Sequence, residues 1–156
     1  MRNLKTMLSS NSTIWETPKA FFDSLNKEFN FNLDPCATKE TAKCDRFFTP
    51  EIDGLKQDWG GCTVFCNPPY GNEIKHWVEK CYLESKKPNT VVVMLIPART
   101  DTIYFHEFIY NKAVIRFIKG RLKFGGNQKG SGSAPFPSMV VVFSPQEGSK
   151  CPQHLE

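Results

Sequence analysis

A continuously apolar run, TVVVMLIPA at residues 90–98, places the strongest constraint on the fold of this chain. A strand that faces water on one side alternates apolar and polar residues, whereas this run has no polar position between its ends. Such a strand has to be covered on both faces. We therefore expect a sheet with helices packed against each side of it.

Other segments of the chain have the patterns of further strands and of helices. Pro18 after Thr17 indicates a helix start, and Thr100 or Asp101 can cap another helix. Strands that alternate with helices predict an α/β fold with a mostly parallel sheet and an antiparallel strand at its end. The further strands are predicted at residues 29–37, 62–66, 113–124 and 138–145, and the helices at 18–28, 72–87 and 101–111.

The length and composition are those of an ordinary globular domain. With 156 residues, 40% of them hydrophobic and 23% charged, the chain predicts one domain with its core at about residues 14–145 and loose tails. A net charge of +4 is compatible with a polyanionic partner but does not identify one. No apolar stretch reaches the roughly 18 residues of a membrane helix, and no signal-peptide pattern opens the chain, so we expect a cytoplasmic protein without a membrane partner.

The six cysteines predict neither a metal site nor a disulfide framework. No two of them form a CxxC pair, and no His-rich pair accompanies them. We expect buried, reduced thiols that act as small hydrophobic residues, and no bound metal.

The predicted strand at residues 62–66 ends in the turn NPPY, formed by Asn67, Pro68, Pro69 and Tyr70. The prolines cannot donate hydrogen bonds to a neighbouring strand, so the strand has to stop at Asn67. The Asn67 side-chain oxygen and the Pro68 carbonyl can accept the two N–H groups of an exocyclic amine, and Tyr70 offers a flat face to its ring. The turn therefore predicts a site that aligns a poor nucleophile for transfer from an activated donor.

Three residues stand at the ends of predicted strands, where α/β sheets bind their ligands: Asp34, Asn67 and Pro97. Between the last two predicted strands lies GGNQKGSGSAPFP, residues 125–137, which is rich in glycine and has no periodicity. We expect a flexible loop, which either only connects two strands or orders on a substrate.

The NPPY turn after an apolar strand resembles the catalytic motif of amino-methyltransferases that use S-adenosylmethionine. The segments FCNPPYGNEIKHWVEKC, VVVMLIPARTDTIYFHEF, IRFIKGRLKF and PSMVVVF extend the likeness to the phage-type DNA N6-adenine methyltransferases, the phage Dam family. The resemblance covers about residues 14–145. It implies a Rossmann-like methyltransferase fold, S-adenosylmethionine as cofactor, and double-stranded DNA as substrate, with transfer to N6 of a flipped adenine.

The resemblance also assigns roles to individual residues. Asn67 and Pro68 would hold N6 of the adenine while Tyr70 stacks on it. NLDPCA matches the start of the cofactor motif, but TKETAK follows where related enzymes have glycines. The implied catalytic residues are Asn67, Pro68, Pro69 and Tyr70, and the implied cofactor residues are Trp15, Thr17, Pro18, Asp34, Pro35, Cys36, Ala37, Asp58 and Asn67.

Two further assignments leave alternatives open. The carboxylate that would bind the cofactor ribose is Asp45, Glu51 or Asp53. Basic and aromatic residues of the later segments suit a nucleic-acid backbone and an unstacked base, and Asp101 is equally suited to capping a helix. The residues expected to face DNA are Arg99, Thr100, Arg121, Lys123, Phe124 and Lys129.

Two other classes of function are compatible with these motifs. The same turn can orient the amine of an RNA base or the amide of a protein glutamine, which are similar planar NH₂ groups. Because the glycines after Asp34 are absent, a non-catalytic module that binds nucleic acid is also possible. No segment is large enough to form a separate target-recognition domain, so short loops or a dimer would have to read the DNA sequence.

Overall fold

A four-stranded sheet with helices on both faces organises the computed structural model, which describes residues 15–125 and 133–145. None of its helices is long and apolar enough to cross a bilayer. In chain order the elements are α1 (Lys19–Phe29), a 3₁₀ turn (Gly54–Lys56), β1 (Thr63–Cys66), α2 (Ile74–Ser85), β2 (Val91–Pro97), a π-helical segment (Phe105–Ile109), β3 (Val114–Phe117) and β4 (Ser138–Phe143).

The strands lie side by side in the order β1-β2-β4-β3. β1 is parallel to β2, while β4 is antiparallel to both β2 and β3. β1, β2 and β3 therefore point in one direction and β4 points in the other. The expectation of a mostly parallel sheet with its antiparallel strand at the end is wrong in two respects. Two of the three strand pairs in the described sheet are antiparallel, and the reversed strand lies between β2 and β3, away from the edge.

The predicted helical cover on both faces of the central strand is confirmed. Val93 and Leu95 of β2 pack in one hydrophobic cluster with Phe22 and Leu25 of α1. Alternate β2 residues such as Met94 belong to a second cluster with side chains of α2. Because successive side chains of a strand point to opposite faces, each helix covers one set of β2 side chains.

The predicted strand at residues 29–37 is reduced to two isolated parallel bridges, Leu33 with Val64 and Asp34 with Phe47. Pro35 has no N–H to continue a ladder, and the Asp34 carboxylate binds the backbone N–H groups of Cys36 and Lys43. The chain therefore turns away from the sheet immediately after Asp34.

Two other predicted elements are shorter than expected. β3 ends at Phe117, soon before Gly120, whose φ of 77° is incompatible with an extended strand. The helix predicted at residues 101–111 contains the wide turn Phe105–Ile109, in which the Tyr110 N–H donates to the Phe105 carbonyl at 2.7 Å.

Three of the five thiols in the part of the chain that the structure describes are buried, as the sequence predicted, and two are only partly buried. Cys62, Cys66 and Cys81 are buried, Cys36 and Cys44 are half-buried, and all five are free. Burial raises the pKa of Cys66 and Cys81 above the usual thiol value, so both remain protonated near neutral pH.

A buried carboxylate fixes α2 to the segment that precedes β1. Glu84 accepts hydrogen bonds from the Trp59 backbone N–H at 2.8 Å and from Lys80 at 2.6 Å, and it pairs with Lys87 at 2.8 Å. Burial alone would raise the pKa of Glu84, but these donors hold it below its ordinary value. The carboxylate therefore stabilises the fold above the unfolded-state pKa of 4.5, and this contribution is lost as the pH falls through the lower folded-state pKa.

We expect Glu84→Gln to lower the free energy of unfolding by about 1–3 kcal/mol at neutral pH, because a charged acceptor with three donors is lost. The difference from the unsubstituted protein should shrink as the pH falls below the unfolded-state pKa of 4.5. Urea unfolding over a pH series measures both effects. Asp23→Asn, which removes an exposed pair with Lys19, is the matched control and should change stability little. A pH-independent difference would show that the Glu84 charge is unimportant.

Candidate active site

A cavity of about 770 Å³, the first cavity, lies beside the end of β1 and is lined by residues of the segments 15–17, 34–43, 49–55 and 65–77. It brings together many of the residues that the sequence predicted: Trp15, Thr17, Asp34, Pro35, Cys36, Ala37, Asp53, Asn67, Pro68 and Pro69. It also includes residues that the sequence did not single out: Glu16, Thr38, Thr41, Lys43, Thr49, Pro50, Gly54, Leu55, Phe65, Glu73 and Trp77.

Asp34 shapes the loop that forms one wall of this cavity. Its side chain is 4% exposed, and its two oxygens accept the backbone N–H groups of Cys36 at 3.3 Å and Lys43 at 3.1 Å. Burial raises the pKa of Asp34 to about 6, although both hydrogen bonds oppose that shift. In this chain, backbone N–H groups that donate to a side-chain carboxylate thus shape the loop at which the sequence resemblance implied glycines.

Gly54 allows the 3₁₀ turn to approach this loop. A Cβ atom at position 54 would lie 2.0 Å from the Pro35 carbonyl oxygen, a distance that backbone atoms cannot accommodate. The close approach brings Asp53 and Leu55 to the cavity. A glycine next to an aspartate was the only signal for this contact in the sequence.

The Asn67 side chain is held by the segment that precedes α1. Its Nδ2 group donates to the Trp15 carbonyl and, at 2.9 Å, to the Thr17 hydroxyl. The Oδ1 atom is buried and has no hydrogen-bond partner among the described residues. An unpaired buried acceptor costs about 1–3 kcal/mol, so the arrangement is one that a ligand with an N–H group would stabilise.

Tyr70 belongs to an aromatic cluster that we define by Trp15, Tyr70, Phe124 and Phe136. The Tyr70 and Trp15 rings are stacked with centroids 6.4 Å apart, and Phe124 and Phe136 meet both rings edge to face. The Tyr70 hydroxyl donates to the Leu95 carbonyl at 3.2 Å, and burial raises the pKa of Tyr70. The hydroxyl therefore anchors the ring and does not act as a base.

A second cavity, of about 490 Å³, adjoins this cluster. Trp15 is the one residue of the described chain that lines both cavities. The two cavities share Trp15 as a wall, and the Asn67 amide donates a hydrogen bond to the carbonyl of that residue. This arrangement suits the transfer of a group between two ligands. The second cavity is lined by Trp15, Tyr70, Gly71, Ile74, Pro97, Arg99, Thr102, Tyr104, Pro135 and Phe136.

The structure separates the acidic candidates. Asp53 lines the first cavity, whereas Asp45 and Glu51 do not. Asp58 is also absent from the cavity lining, because its exposed carboxylate pairs with Lys87 at 2.7 Å and accepts the Gly60 N–H at 2.8 Å. The structure therefore does not bring Asp58 to the place that the sequence predicted for it.

Pro18 lines neither cavity. It directly precedes α1, and its carbonyl accepts the Phe22 N–H at 3.0 Å. Its position is that of a residue that starts a helix, which differs from the predicted contact with a cofactor.

The residues expected to face DNA divide into three groups. Arg99 lines the second cavity and Phe124 joins the aromatic cluster. Thr100, Arg121 and Lys123 are exposed and line neither cavity; the Thr100 carbonyl accepts a hydrogen bond from His106 at 2.9 Å. The remaining residue, Lys129, lies outside the described residues, as does most of the glycine-rich loop.

Two oppositely charged side chains of the first cavity were missed by the sequence analysis. Glu16 and Lys43 form an ion pair at 3.5 Å, and their side chains are 34% and 17% exposed. The Glu16 carbonyl also accepts the Gly125 N–H at 2.9 Å. The charges come from segments 27 residues apart, so no local spacing could indicate that they meet.

Comparison with known proteins shows the family to which the chain belongs. A family model described as DNA N-6-adenine-methyltransferase (Dam) matches residues 5–152. The DNA N-6-adenine-methyltransferase of Haemophilus phage HP1 (strain HP1c1) is 32% identical over 142 residues, which are 88% of this chain and 82% of that protein. The DNA N-6-adenine-methyltransferase of Escherichia phage T1 is 32% identical over 111 residues, 70% of this chain and 46% of that protein. The chain belongs to the Dam family of DNA N-6-adenine-methyltransferases, as the sequence predicted.

Titration of Asp34 should be visible in the stability of the protein. Its folded-state pKa of about 6 lies above the ordinary value of 3.8, so its contribution to stability is greatest below about pH 4 and is lost as the pH rises through 6. A pKa shift from 3.8 to about 6 lowers the free energy of unfolding by about 3 kcal/mol once Asp34 is ionised.

We expect the stability of the unsubstituted protein, relative to that of Asp34→Asn, to fall by about 3 kcal/mol between pH 4 and pH 7. Urea unfolding of both proteins over this range measures the difference. Asp58→Asn is the control, because Lys87 lowers the pKa of Asp58 and its titration lies below this window. Parallel curves of unfolding free energy against pH for the unsubstituted protein and Asp34→Asn would show that the pKa of Asp34 is not raised.

Proposed function

We propose that this protein, as a single domain with a Rossmann-like methyltransferase fold, transfers a methyl group from S-adenosylmethionine to N6 of an adenine flipped out of double-stranded DNA. The observation that carries the proposal is the Asn67 amide at the end of β1, whose oxygen has no hydrogen-bond partner among the described residues, in a chain of the Dam family. The three strands that share one direction and the helices on both faces support the fold assignment.

The first cavity fits S-adenosylmethionine in size and chemistry. Its volume of about 770 Å³ is within the usual range for a small-molecule site. Asp53 offers a carboxylate to the two ribose hydroxyls, and Leu55 and Trp77 offer apolar surface to the adenine ring. Lys43 and Glu16 supply the two charges that would complement the carboxylate and ammonium groups of the methionine end. When bound, this cofactor supplies an activated methyl group on a sulfonium.

The acceptor base would bind on the other side of Trp15. An adenine inside a duplex is paired through N6, so the base has to leave the stack before a methyl donor can reach that atom. Tyr70 and Trp15 line the second cavity with aromatic surface on which a base can stack. Arg99 lines the same cavity, where a guanidinium could bind a phosphate of the extruded nucleotide, and the exposed Arg121 and Lys123 can contact the backbone outside it.

The role of the NPPY turn is to align the amine and to stabilise the charge that develops on it. Asn67 Oδ1 and the Pro68 carbonyl each accept one N–H of the amine, which directs the nitrogen lone pair toward the methyl group. As N6 becomes positive during transfer, both hydrogen bonds strengthen, so they stabilise the transition state more than the bound substrate. The amide oxygen is not a base, and the released proton passes to solvent.

We expect Asn67→Ala to bind S-adenosylmethionine but to transfer methyl groups to duplex DNA at least 100-fold more slowly, the usual effect of removing one aligned charge-stabilising group. Digestion of the DNA and mass identification of N6-methyladenine measure the transfer. Labelled methyl transfer to duplex DNA, RNA and protein in parallel tests the alternatives. A signal confined to RNA or protein, or full activity of Asn67→Ala, would refute the proposal.

We expect Asp53→Ala to weaken S-adenosylmethionine binding about tenfold or more, because an acceptor for the ribose hydroxyls is lost. Calorimetry on the folded variants measures the dissociation constant. Asp58→Ala removes an acid that lies outside the first cavity and should bind the cofactor as the unsubstituted protein does. Weaker binding in Asp58→Ala than in Asp53→Ala would instead favour Asp58, the cofactor residue implied by the sequence, and would contradict the role proposed for Asp53.

A further inference from the structure

The orientation of the Asn67 amide is determined by two acceptors of the preceding segment. The Trp15 carbonyl oxygen can only accept a hydrogen bond, so the Asn67 atom that faces it has to be the nitrogen. The second N–H of the same nitrogen reaches the Thr17 hydroxyl at 2.9 Å. Both donors are therefore used, and the amide oxygen is the atom left for a ligand.

We propose that the Trp15 carbonyl and the Thr17 hydroxyl form an amide clamp, which fixes the direction of Asn67 Oδ1 and makes position 67 selective for an amide over a carboxylate. Thr17 is then a positioning residue for the acceptor site and not a cofactor ligand. The inference rests on the proposed function, because it concerns how the turn presents an oxygen to the amine.

Both parts of the clamp are held in place by the fold. Thr17 is 3% exposed and is followed by Pro18, whose carbonyl binds the first turn of α1. The ring of Trp15 packs in the aromatic cluster, and its neighbour Glu16 forms an antiparallel bridge with Gly125. Because the acceptors are anchored on two sides, the amide cannot rotate without losing hydrogen bonds that the surroundings do not replace.

The clamp and a simple acceptor model make opposite predictions for Asn67→Asp. A carboxylate is a stronger acceptor than an amide, so a turn that needs only an acceptor should work at least as well with aspartate. In the clamp, however, an aspartate oxygen would face the Trp15 carbonyl oxygen, with no hydrogen between them. The repulsion between the two oxygens would turn the side chain away from the position that binds the amine.

Substitutions of Thr17 distinguish a positioning role of this residue from a role in cofactor binding. Thr17→Val keeps the shape of the side chain but removes the acceptor for the second Asn67 N–H, whereas Thr17→Ser keeps the hydroxyl. If Thr17 acts through Asn67, the valine variant should slow methyl transfer and leave cofactor affinity unchanged. If Thr17 contacts the cofactor, the dissociation constant should rise instead.

The test compares the unsubstituted protein with Asn67→Asp, Thr17→Val and Thr17→Ser, each checked for folding by urea denaturation. Calorimetry gives the dissociation constant for S-adenosylmethionine, and single-turnover transfer to duplex DNA at saturating cofactor gives the rate. We expect a rate loss of at least 100-fold for Asn67→Asp and of about tenfold for Thr17→Val, the effect of one aligning hydrogen bond, with dissociation constants within about twofold. Thr17→Ser should recover most of the rate.

Either of two results would overturn the clamp. One is an Asn67→Asp protein that methylates as fast as the unsubstituted protein. The other is a Thr17→Val protein with a weaker cofactor affinity and an unchanged rate at saturation. If Asn67→Asp does not fold, the comparison of valine with serine at position 17 decides. Failure of the proposed function is distinct, because the unsubstituted protein would then not methylate DNA at all.

Discussion

Successive side chains of β2 pack in two different hydrophobic clusters, one on each face of the sheet. The position of the whole site depends on this burial of β2 on both faces. Val92, Met94 and Ile96 are fully buried on one face, and Val93 and Leu95 are fully buried on the other. A backbone with no access to water needs hydrogen-bonded neighbours at both edges, which β1 and β4 provide. Because β1 runs parallel to β2, the turn that follows β1 and the residues that follow β2 emerge at the same edge of the sheet.

The parts of the fold that could be predicted from the sequence are those that short-range chemistry decides. An apolar run cannot be exposed, and two prolines cannot continue a ladder, so β2 and the end of β1 were found close to their true positions. The segment at residues 29–37 was misread because its alternation is that of a strand, while the Asp34 side chain binds N–H groups up to nine residues away. Such a bond is formed only in the folded chain and leaves no periodic pattern.

The same distinction explains which of the predicted residues lie at the two cavities. Asn67 and Tyr70 could be predicted to lie there because their chemistry and their place after a strand are both local. Asp53 and Asp58 are both acids in a loop before β1. They differ in the structure because Gly54 lets its turn approach Pro35, whereas Asp58 is drawn to Lys87 at the surface. The position of an acid relative to a cavity is a tertiary property, so the sequence left Asp45, Glu51 and Asp53 open for the ribose and predicted a cofactor contact for Asp58, which the cavity lining does not include.

Trp15 forms a wall of both cavities, and this has a consequence for how two ligands would influence each other. A ligand that fills one cavity restricts the movement of the indole ring, so less conformational entropy remains to be lost when the other cavity is filled. Thermodynamic linkage requires the effect to be equal in both directions. Cooperative binding of donor and acceptor would thus come from one shared side chain, without any movement of domains.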